Sequence, residues 1–165
     1  MKRFTAILLV LLPVSAPLAD APLSRLPKCY EESTAAAVGW IKTLAPHRDI
    51  GMLLPPSLTL AKEQPQFMHG GALWSGPGLE VTVTYGVWNL SSFDHSGAIS
   101  RCQTRINGID LVLVSSFNKR EGRMIAWLRT GTTPFEPVLE VRSWDSDDFA
   151  FARQIIGGIY VAKAK

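Results

Sequence analysis

Apolar and polar residues alternate most regularly between Leu79 and Trp88. Leu79, Val81, Val83, Tyr85 and Val87 are apolar, and Glu80, Thr82, Thr84, Gly86 and Trp88 stand between them. A period of two predicts a half-buried strand with a core face and a second, more polar face. Ile99 to Ile106 repeats the pattern, with Cys102, Thr104 and Ile106 on one face and Arg101, Gln103 and Arg105 on the other. Asn107-Gly108 follows, and both residues tolerate the positive φ of a type I′ hairpin turn. The return strand, Ile109 to Phe117, carries Ile109, Leu111 and Leu113 on one face and Val112 and Val114 on the other. Apolar residues on both faces predict an interior position.

Further strands are predicted over Met124–Arg129, Val138–Trp144 and Ile50–Leu54. Between Pro55-Pro56 and Gly78 the periodicity is weak, and the segment reads as loops around one short strand near Ala72–Trp74. Helical spacing is expected at both ends of the folded region. Glu31 to Leu44 contains Ala35-Ala36-Ala37, with Val38, Ile41 and Leu44 on one face and Pro46 as a stop. Phe149, Ala152, Ile155, Ile156 and Ile159 recur at helical spacing. There Asp145 or Ser146 would cap, and Asp147 and Asp148 would suit the positive end of the helix dipole. The expected fold is α+β: a mostly antiparallel sheet of about five to seven strands, with helices near the N-terminus and at the C-terminus. A small lipocalin-like β-barrel is the alternative.

The first residues follow a different logic. Met1-Lys2-Arg3 is basic, Phe4 to Leu12 is an apolar run ended by Pro13, and Val14 to Ala19 is a small-residue exit. That order reads as a secretory signal peptide over residues 1–19, and it places the protein in the periplasm or outside the cell. Cleavage after Ala19 is favoured over cleavage after Ala21, which Pro22 would resist. The run is too short to span a membrane, and no second one follows. Residues 20–28, with Pro22 and Pro27, read as a flexible start. Residues 29–165 suit one domain.

Loss of the signal changes the charge. The chain has 17 basic and 14 acidic residues. Lys2 and Arg3 leave with the signal, so the mature chain is close to neutral and offers no basic patch for nucleic acid. The only cysteines are Cys29 and Cys102. In an oxidising compartment they are expected to form a structural disulfide, stabilising by roughly 4 kcal/mol in the chain-entropy model.

The meander from Leu79 to Trp144, followed by Ser146-Asp147-Asp148-Phe149-Ala150-Phe151-Ala152-Arg153-Gln154-Ile155-Ile156, resembles the α/β/α sandwich shared by the Mog1 and PsbP groups. The resemblance covers about the last ninety residues and rests on element order. It implies a domain that acts through binding and assembly, and it carries no active site.

Catalytic look-alikes fail on context. Ser116-Phe117-Asn118-Lys119 and Arg129-Thr130-Gly131 echo serine penicillin-binding motifs, but that chemistry needs the serine at a helix start. His69-Gly70-Gly71 echoes an esterase oxyanion loop without the companion Gly-x-Ser-x-Gly elbow. His47, His69 and His95 show no ligand spacing, so no metal or other cofactor is expected. Glu80, Glu136 and Glu140 are available as carboxylates, with solvation as their ordinary role. Trp74 and Trp88, together with His69, make a candidate ligand or partner patch. The sequence therefore predicts a secreted or periplasmic protein that binds an envelope protein, a glycan or a foreign enzyme. A small envelope hydrolase using His69 is the alternative.

Overall fold

A computed structural model describes residues 26–29, 38–46, 50–64, 70–88, 98–118, 120–129, 136–144 and 149–162. The described elements are β1 (Ile41–Leu44), β2 (Ile50–Leu54), β3 (Thr59–Gln64), β4 (Gly71–Gly76), β5 (Leu79–Gly86), β6 (Ala98–Ile106), β7 (Ile109–Asn118), β8 (Glu121–Arg129), β9 (Glu136–Trp144), α1 (Ala150–Gly157) and β10 (Tyr160–Val161). Two sheets result. The larger has seven antiparallel strands in the order β3-β4-β5-β9-β8-β7-β6, and the smaller is β1-β2-β10. Two meanders, β3-β4-β5 and β6-β7-β8-β9, meet where β5 pairs with β9.

The alternation read from the sequence is what builds the two faces of the large sheet. On the first face, Val83, Leu139, Ala126, Leu113 and Cys102 form one row across β5, β9, β8, β7 and β6. The small sheet and α1 cover this face, bringing Met52, Leu54, Ile155, Ile156 and Ile159 against it. The layers meet along an apolar seam lined by Ile50, Met52, Val83, Leu128, Leu139 and Ile159, with no room for a water molecule. On the second face, Val112, Val114, Ile125, Trp127 and Val138 form a separate buried cluster, packed by Leu26 and Trp88. The interior position expected for β7 is observed, between β6 and β8 and feeding both clusters.

Asn107 and Gly108 both have positive φ, 49° and 84°, as the hairpin reading requires. The Asn107 side chain also donates to the Ile159 carbonyl at 2.6 Å, tying the β6–β7 turn to the chain leaving α1.

Three expectations are corrected. Ile41–Leu44, the second half of the helix expected over Glu31–Leu44, is strand β1, antiparallel to β2. Its β-branched Ile41 and Thr43 suit a pleated strand, and Val38, Ile41 and Leu44 are exposed instead of sharing a buried helical face. Residues 30–37 lie outside the described residues. The barrel alternative fails because the sheet is open, with β3 and β6 at its two ends. Within the segment from Pro55-Pro56 to Gly78, read as loops around one short strand, Thr59–Gln64 forms an additional edge strand, β3. Helix α1 buries Ala152, Ile155 and Ile156 as its spacing predicts. It begins at Ala150, and Phe149 at its N-cap supplies no side-chain hydrogen bond. Asp145 to Asp148 lie outside the described residues.

The Cys29–Cys102 disulfide is present, with the two Cα atoms 4.8 Å apart. Such a bond points to an oxidising compartment. Leu26–Lys28 belong to the segment expected to be flexible, yet they lie along β6: Lys28 forms a parallel bridge to Gln103.

Candidate binding face

The second face of the large sheet gathers the polar chemistry of the described residues. Strand register sets three rows. Thr84, Val138, Trp127, Val112 and Gln103 form the first, and Thr82, Glu140, Ile125, Val114 and Arg101 the second. Ser75, Glu80, Arg142, Arg123 and Ser116 form the third. Apolar contacts therefore give way to charge along the strands, from Trp127 toward Arg142.

Glu140 is the centre of the charged part. Its side chain is 15% exposed. Oε2 accepts from Arg123 Nη2 at 2.9 Å, and Oε1 accepts from Arg142 Nε. Arg123 Nε lies 2.6 Å from Oε1, but off the axis of a hydrogen bond, and is buried without another partner. Burial alone would push the Glu140 carboxyl up. The hydrogen bonds and charges of Arg123 and Arg142 outweigh it and hold the group below its ordinary value. Burial would lower Arg142, and Glu140, with Glu121 and Glu80 behind it, raises it instead. Glu140 is thus fixed as an anion between two cations, a poor proton donor for acid–base chemistry.

At the other end of the face, two indoles converge on one residue. Trp127 Nε1 donates to Glu136 Oε2 at 2.5 Å, and Trp88 Nε1 donates to the Glu136 backbone carbonyl at 2.9 Å. The Arg129 guanidinium stands 5.9 Å from the Trp127 ring centroid, within cation–π range. Gly70, Trp88, Arg129 and Glu136 all lie at this end, because β4 and β9 start there and β5 and β8 finish there.

The proposed patch of His69, Trp74 and Trp88 does not assemble from the described residues. Trp74 is 6% exposed and belongs to the first-face core. Trp88 is partly buried against the second-face cluster. The sheet separates the two, so they offer no common surface. His69 lies outside the described residues, as do His47 and His95. Ser116 lies near the end of β7, paired with Arg123 of β8, not at a helix start, which removes the penicillin-binding look-alike. Among the described residues, no group of three His, Cys, Asp or Glu side chains is placed to hold a metal. Arg123 and Arg142 escaped the sequence reading as site residues. Their signal was the alternation Arg123–Ile125–Trp127 and Val138–Glu140–Arg142, which becomes a cluster only in register. Comparison with protein-family models, with curated proteins and with solved structures returns no match.

Proposed function

We propose that the protein acts by binding in the periplasm or outside the cell, and that it engages an envelope protein through the charged part of its second sheet face. The observation that carries this reading is the row Ser75–Glu80–Arg142–Arg123, in which charges of both signs stand partly exposed on rigid strands. Charges held in fixed order select a complementary partner surface and suppress wrong ones. The disulfide supports the compartment. The resemblance to the Mog1 and PsbP groups is kept as part of the proposal, supported by an antiparallel sheet with a terminal helix on one face.

The test is photo-crosslinking in the native envelope from a reactive amino acid at position 82, beside Glu140, with position 42 on β1 as control. A discrete adduct from position 82 that disappears in Glu80→Arg and Arg142→Glu supports the proposal. An adduct unaffected by both reversals, or no adduct alongside measurable hydrolysis of envelope glycans, overturns it.

A further inference from the structure

Leu26 to Cys29 grip one residue of the large sheet from two sides. Cys29 N–H donates to the Gln103 carbonyl at 2.9 Å, and Gln103 N–H donates to the Pro27 carbonyl at 2.8 Å. The Gln103 side-chain amide donates to the Leu26 carbonyl at 2.9 Å. Leu26 packs against the second-face cluster, whose row runs Gln103–Val112–Trp127. The covalent attachment is on the other side: Cys102 belongs to the first-face row. Every noncovalent polar contact described for this segment thus converges on Gln103, and one apolar side chain adds to them. Strand β6 needs none of this for its own pairing, since it is held to β7 from Ala98 to Ile106.

We propose that Leu26–Cys29 is a redox-releasable strap, seated on the β6 edge by its disulfide and freed when that bond is reduced. Both cysteines are partly exposed, and release requires that a reductant reach their sulfurs. A thiolate of a dithiol reductant attacks one sulfur and expels the other as thiolate. The second thiol of the reductant then resolves the mixed disulfide. Two electrons pass to the cysteines, which take up two protons, and the reductant leaves oxidised. The strap then loses the effective concentration that the bond imposed. Its departure opens the outward-facing backbone of β6 around Gln103, the type of sheet edge that accepts an added strand. This holds whether or not the charged row binds a partner.

The test is residue-resolved amide exchange by NMR on the oxidised protein, on the protein reduced with dithiothreitol, and on the Cys29→Ser/Cys102→Ser variant. Exchange at positions 29 and 103 should accelerate roughly tenfold or more in the reduced protein and in the variant. Ala126 and Leu139, in the middle of the sheet, should stay within about twofold. Three results overturn the proposal: unchanged protection at 103 after reduction, no protection at 103 in the oxidised protein, or joint loss at 126 and 139. The last would make the bond a staple of the whole sheet.

Discussion

The ring of Tyr160 occupies the space above Gly51 where a side chain would stand: a Cβ at residue 51 would lie 2.1 Å from the tyrosine Cζ. The two residues are cross-strand partners in the small sheet. The glycine is thus the floor on which the aromatic ring rests, and the pair holds the two-residue strand β10 against β2.

Gly51→Ala should swing the Tyr160 ring away and cost about 1 kcal/mol, the scale of a cross-strand aromatic pair. In a Tyr160→Ala background the same change should be neutral or slightly stabilising, because alanine is the better strand residue once the ring is gone. Urea denaturation of the four proteins in the double-mutant cycle measures the coupling. Additive losses would show that the ring and the glycine are independent.

Asn107 does two jobs, accepting a left-handed backbone and bonding Ile159. Asn107→Ala loses both and should cost about 2–3 kcal/mol. Asn107→Gly keeps the backbone and loses only the hydrogen bond, at about 1 kcal/mol. Chemical denaturation of both variants separates the contributions, and equal losses would assign the whole effect to the hydrogen bond.

Glu140 links stability to pH. Its folded carboxyl titrates below the unfolded one, so its contribution is complete above the ordinary glutamate value and is lost as pH falls through that value and below it. Glu140→Gln should cost roughly 1–3 kcal/mol at pH 7, since Arg123 and Arg142 lose their shared anion. It should also flatten the loss of stability on acidification. Urea midpoints measured across that range check both, and parallel pH curves for the variant and the parent would remove Glu140 from the acid response.

Trp127→Phe keeps most of the buried ring but removes the donor to Glu136. The expected loss is about 1–2 kcal/mol. Glu136→Gln keeps an acceptor oxygen and should lose less. Thermal unfolding of the two variants ranks them, and a larger loss in the glutamine variant would contradict the hydrogen-bond account.

Much of the large sheet was legible in the chain, because a pleat with one buried face writes a period of two into the residues. β5, β6 and β7 could be read this way, and Asn107-Gly108 marked the turn between the last two. β1 was not, because a run of three alanines beside it favours helix while the pairing of Ile41–Leu44 with β2 is a tertiary choice. β3 was hidden by Lys62, Glu63 and Gln64, polar residues that an edge strand accepts and a sequence reading takes for loop. The site was less legible for a geometric reason. Glu140 lies two residues from Arg142, visible in sequence, but its second partner Arg123 arrives from the neighbouring strand by register. Trp74 and Trp88 look close along the chain, yet Trp74 pairs with Val81 and so faces the first core, whereas Trp88 falls in step with Thr82 and Thr84.

The junction of the two meanders has a kinetic consequence. β6, β7, β8 and β9 follow one another through hairpins, each contact closing a short stretch of chain. The seam between β5 and β9 joins Leu79 to Ser143 and Gly86 to Glu136, with β6, β7 and β8 lying between them in the chain. The entropy of that long closure must be met before Val83 and Leu139 reward it. Folding is therefore expected to form the second meander first and dock β5 onto it last. Val83→Ala then accelerates unfolding far more than it slows folding, while truncations within the β7–β8 hairpin do the reverse.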